Sequence, residues 1–76
     1  MPKDNLFKEA AKLVVETQYG SMSLLQRRLR LSYTKAAQVM EELEVSEIVG
    51  EFNGTKNREV KFKDLDSLNI HLDSIT

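Results

Sequence analysis

Leu6, Phe7, Ala10, Leu13, Val14 and Thr17 recur at the three- and four-residue spacing of one helix face, and Tyr19-Gly20 ends the run. Asp4 stands just ahead of this pattern, where a carboxylate can accept from the free amides of a first turn. The tripeptide "SMS" that follows is too short and polar for a helix and is read as a two- or three-residue strand. Ser23 then opens "SLLQ", a capping box in which its hydroxyl meets the Gln26 amide while the Gln side chain reaches back. A second helix is expected over 24–30, with Leu25 and Leu29 inward and its arginines outward. Leu31-Ser32 forms a tight turn, and Ser32 or Tyr33 begins a third helix.

At about 100° per residue, Tyr33, Ala36, Ala37, Met40, Leu43 and Glu44 fall on one side of that third helix. This side is expected to be mostly core, and the small Ala36-Ala37 pair lets another helix approach closely. Thr34, Gln38, Glu41 and Val45 fall on the other side. Beyond it the period changes. Ile48, Val49 and Phe52, then Val60 and Phe62, flank Asn53-Gly54-Thr55-Lys56-Asn57, a pattern of two short antiparallel strands around a glycine-containing loop. Helix, short strand, helix, helix, strand, loop, strand is the order of a winged helix, so the expected class is α+β, mainly helical, with a winged-helix domain over 4–62. In the tail, 63–76, Leu65, Leu68, Leu72 and Ile75 keep helical spacing while Leu68, Ile70 and Leu72 alternate, which reads as a short helix or an ordered tail.

Composition narrows the function classes. Seventy-six residues, 41% of them apolar, make one small domain with a modest core and little room for an enzyme active site. Without cysteine there is neither a disulfide framework nor a thiolate zinc site, which suits a reducing cytoplasm. No apolar run approaches the roughly 18 residues of a membrane span, and "MPKDNLFKE" lacks the apolar stretch of a signal peptide. The formal net charge of −1 conceals strong segregation. Residues 21–40 hold Arg27, Arg28, Arg30 and Lys35 with no acid, residues 41–52 hold Glu41, Glu42, Glu44, Glu47 and Glu51 with no base, and Lys56, Arg58, Lys61 and Lys63 outnumber Glu59 over 53–63. A fold that joins the two basic blocks makes a positive face for a phosphate backbone; otherwise they are a solvated surface of mixed charge.

Other chemistry is poorly supported. "GTK" at 54–56 lacks the rest of a phosphate-loop motif and lies between strands, so it reads as a turn. His71 is the single histidine, has no second imidazole or thiol with which to hold a metal, and is read as a tail surface residue. No cofactor, metal site or catalytic set is expected. Lys35, by contrast, sits in a first turn against the helix dipole, a conflict that an approaching phosphate would relieve.

"SLLQRRLRLSY", the Ala36-Ala37 pair, "EIVG" and "NREV", within a similarity extending over 6–60, resemble the gamma domain of the FtsK/SpoIIIE DNA translocases. That resemblance implies a non-enzymatic winged helix that recognises short, polar, G-rich duplex sequences, orients the translocase in chromosome segregation, and contacts the XerD tyrosine recombinase. By position it implies base reading by Thr34, Gln38 and Glu41, with Arg27, Arg28, Lys35, Lys56 and Arg58 at the DNA backbone. Where the family pattern opens this helix with Gly-Tyr-Asn-Arg-Ala-Ala-Arg, the chain has Ser32-Tyr33-Thr34-Lys35-Ala36-Ala37-Gln38, and Glu47 replaces the glycine usual just after the helix. The motor itself is not in the sequence, so the module is either part of a longer translocase or a free-standing relative from a mobile element. A protein-interaction module that docks on a recombinase or motor is the rival reading, and a monomer is expected in either case because there is no heptad repeat.

Overall fold

Helix α1 (Asn5–Thr17) buries Phe7, Ala10, Ala11, Val14 and Val15, following the apolar spacing read from the chain. Its end is set by Gln18, whose φ of 60° is left-handed and whose Nε2 donates to the carbonyls of Val15 and Phe62, each at 2.8 Å. The computed structural model describes residues 5–52, 54 and 57–75, with the backbone alone at 75; Asp4, Asn53, Thr55, Lys56 and the Ile75 side chain lie outside the described residues. Helix α2 (Met22–Leu29) starts two residues earlier than expected, because Ser21 and not Ser23 is the cap: the Ser21 hydroxyl accepts from the Leu24 amide at 3.4 Å. The "SMS" strand is therefore replaced by the cap and first turn of α2. Arg30, at φ 55°, closes α2, with the Leu31 amide donating to the Gln26 carbonyl.

Helix α3 (Tyr33–Val45) is capped by Ser32, which accepts from the Lys35 amide at 3.1 Å. Its inward face is Ala36, Val39, Met40 and Leu43. Val39 belongs to this face although it was not expected there, whereas Tyr33, expected there, is 68% exposed in the first turn. Despite lacking glycine, position 47 is left-handed, φ 63° at Glu47, and the Ile48 amide donates back to the Leu43 carbonyl at 2.9 Å.

The expected β-hairpin wing is not found among the described residues. Among the described residues there are four helices and no strand, so the chain is all-α and the α+β winged-helix class is corrected. Val49 bridges Val60 through Gly50 N–H to Glu59 O and Lys61 N–H to Ile48 O, but the Ile48 N–H that would complete its pair with Lys61 donates instead to the Leu43 carbonyl at the end of α3. The opposite edge of the 58–60 segment meets Gly20 through the Arg58 N–H, a second isolated bridge. Single pairs of this kind do not propagate into a ladder.

Helix α4 (Leu65–Ile75) is capped by Asp64, which accepts from the Ser67 amide at 2.8 Å. Leu68 and Leu72 enter the core against α1, whereas Ile70 is 72% exposed. His71 is half-buried, contrary to its reading as a surface residue: Nε2 pairs with the Ser46 carbonyl at 2.6 Å and the ring lies 4.9 Å from that of Phe62. Helical spacing from Leu68 turns position 71 toward the end of α3. Helix α3 packs on both α1 and α2, which leaves its opposite side open. Among the described residues no helix is long and apolar enough to cross a membrane.

Candidate nucleic-acid interface

The open side of α3 carries Thr34, Gln38, Glu41 and Val45, a stripe at four- and three-residue steps directly opposite the buried face. All four are exposed. Gln38, Glu41, Glu42 and Val45 line a shallow depression of about 310 Å³. Lys35, also exposed, lies in the first turn beside Thr34, and its own amide is already taken by the Ser32 cap. The chemistry available along the stripe is a hydroxyl, an amide with both donor and acceptor, and a carboxylate that accepts.

Arg58 is the backbone candidate that the fold brings to α3. Its Nη1 donates to Glu44 Oε1 at 2.7 Å, and its guanidinium carbon stands 6.0 Å from the centre of the exposed Phe52 ring. A concavity of about 490 Å³ joins Arg58 to Tyr33, Ala37, Glu41, Glu44 and Val45. The position of Arg58 depends on Gly20, where an added Cβ would stand 2.7 Å from the Arg58 carbonyl oxygen.

The other basic residues are placed differently. Arg27 and Arg28 are exposed on the last turn of α2 and line a hollow with Thr17, Tyr19, Ser21 and Leu24. Arg28 also borders Glu9, Lys12 and Glu16 of α1. Arg30 is exposed at the left-handed end of α2, and Lys56 lies outside the described residues. The fold thus brings Arg58 to the edge of the α3 stripe and sets Arg27 and Arg28 along the α1–α2 side. The Glu44–Arg58 pair, the exposure of Tyr33 and the nearness of Phe52 to Arg58 are not expected from local sequence; the adjacent acidic and basic blocks over 41–52 and 53–63 are the available signal for the first.

A family model described as the Ftsk gamma domain matches residues 1–63. The DNA translocase FtsK of Chlorobaculum tepidum is 53% identical over 70 residues, which cover 92% of this chain and 9% of that protein. FtsK of Bacillus cereus is 46% identical over 63 residues, 83% of this chain and 8% of the relative, and the DNA translocase SpoIIIE of Bacillus subtilis is 46% identical over 57 residues, 75% and 7%. The chain therefore spans less than a tenth of the length of these relatives.

Proposed function

We propose a duplex-DNA-reading role from the premise that the chain belongs to the Ftsk gamma domain family. The observation that carries it is the exposed Thr34–Gln38–Glu41 stripe, set by the period of α3 directly opposite its buried face and braced from behind by α1 and α2. In this reading α3 enters the major groove along its exposed stripe. Lys35 and Arg58 meet phosphates beside it, and Arg27, Arg28 and Lys56 also contact the backbone. The relatives are named DNA translocases, and the module would serve such a motor by telling it which way along the chromosome to move, in segregation and cell division.

Gln38 carries the base preference. An amide matches the N7 acceptor and N6 donor of adenine, where the family pattern's arginine suits guanine O6 and N7, and a bidentate contact of this kind discriminates by roughly 1–3 kcal/mol. Thr34 offers a methyl or hydroxyl contact, and Glu41 accepts from cytosine N4 or orients the Gln38 amide. Selection of sites from a random duplex pool tests this. The parent is expected to favour adenine at the base facing position 38 and Gln38→Arg to favour guanine there. An identical motif from both, or none from either, removes Gln38 as a reader.

A second reading is favoured by Val45, 73% exposed beside Glu41 and Glu42. An acidic, apolar-tipped half-helix suits a protein partner, a XerD-type recombinase or the translocase motor, better than it suits phosphate. The two readings compete for the same surface, since Glu41 reads a base in the first and belongs to the acidic protein-facing surface in the second. The isolated module is expected to be monomeric and to bind weakly, since one small unit buries limited surface.

A further inference from the structure

Glu44 is an awkward residue for a DNA-binding surface. It lies on α3 one turn beyond Glu41, its side chain is 41% exposed, and its negative charge would repel a phosphate. Yet it holds Arg58 by a 2.7 Å bond to Nη1. Arg58 is fixed further by its backbone N–H, which donates to the Gly20 carbonyl at 2.9 Å, and by the Phe52 ring 6.0 Å from its guanidinium carbon. A guanidinium has five N–H donors, so the Nη2 and Nε edges supply donors beyond the one given to Glu44. That group opens on the concavity shared with Tyr33 and Glu41, at the edge of the stripe.

We infer that Glu44 is a positioning residue for DNA binding: it orders the Arg58 guanidinium in advance, with Phe52 as the second wall, so that the remaining donors meet a phosphate oxygen beside α3. The inference rests on the duplex-DNA role proposed above. Ordering a long side chain before contact removes an entropic penalty that a free arginine would meet on binding. It also gives the planar fork a defined direction, which a single point charge on a flexible stem lacks. Plain electrostatics predicts the opposite sign, because a carboxylate next to a cation at the edge of the stripe weakens attraction for DNA.

Binding of one random-sequence duplex over a salt series, by the parent, Glu44→Ala, Arg58→Ala and the double variant, separates the two, with thermal melting of each protein alongside. Glu44→Ala is expected to weaken binding about five-fold or more and to flatten the log–log salt slope by about 0.9, the signature of one lost phosphate contact. Arg58→Ala is expected to flatten it equally, and the double variant to bind no more weakly than Arg58→Ala alone. A merely structural role would lower the melting temperature and leave the slope unchanged. Tighter binding by Glu44→Ala, an unchanged slope, or additive losses overturns the inference while the DNA role stands. Absence of binding by the parent overturns both. Should an alanine variant fail to fold, Glu44→Gln decides: it keeps an acceptor for Arg58 and loses the charge, so it is expected to bind no tighter than the parent, and tighter binding again overturns the inference.

Discussion

α1 and α3 each bury one continuous face, whereas the connection over 48–62 buries Ile48 and Val49 and leaves Phe52 67% exposed. The helices are stabilised by shape and apolar burial, spread over many small contacts. The connection depends on a few placed groups: the two isolated bridges, the Gln18 amide on the Phe62 carbonyl, and the Arg58–Glu44 pair. Spread stabilisation tolerates change at its margins, while placed groups fail one at a time. The distinction matters for function because α3 is held by the first kind and Arg58 by the second.

The largest effect should come from the helical side. Leu43 of α3 is fully buried in the core, so Leu43→Ala is expected to cost about 2–5 kcal/mol by leaving a cavity, measured by chemical denaturation. Gly20→Ala comes next. Its Cβ would stand 2.7 Å from the Arg58 carbonyl oxygen, and overpacking of this order costs about 1–3 kcal/mol. Unlike Leu43→Ala, it should also weaken DNA binding at temperatures where the protein remains folded, since the Arg58 backbone must move.

Glu47→Gly sharpens the comparison with a gain. Left-handed geometry costs an L-residue about 1–2 kcal/mol, and glycine returns part of that through unfolded-chain entropy, leaving an expected stabilisation of about 0.5–1 kcal/mol. The smallest effect concerns α4. The Ser67 amide bonded to Asp64 holds that carboxyl below its usual value, so its contribution to stability is full above the unfolded value and is lost as pH falls through the folded one. Asp64→Asn keeps an acceptor at the cap without titrating. Its melting temperature should therefore fall less than the parent's between neutral pH and about pH 3.

The helical faces were legible because burial repeats with the helix period: Phe7, Ala10 and Val14, and Ala36, Met40 and Leu43, lie where the spacing puts them. The exposed stripe of Thr34, Gln38 and Glu41 followed from the same period. Illegibility begins where a residue's partner is remote or its backbone unusual. Ser21 and Ser23 are both competent caps two residues apart, and local sequence does not choose between them. The positive φ of Gln18, Arg30 and Glu47 carries no glycine signal. The alternation of Val60 and Phe62 suggested a strand, but pairing is non-local, and it stops at one bridge between Val60 and Val49 and one between Arg58 and Gly20. His71 looked idle because its partner, the Ser46 carbonyl, lies 25 residues away.

Binding of duplex DNA by α3 and the cations around it can be measured by titrating a labelled random-sequence duplex with the isolated chain over a series of salt concentrations. Saturable binding is expected, its logarithm falling linearly with the logarithm of salt, with a slope of roughly −4.5 for backbone contacts from Arg27, Arg28, Lys35, Lys56 and Arg58. Absence of saturable binding at low salt, or an affinity that salt does not move, would contradict it.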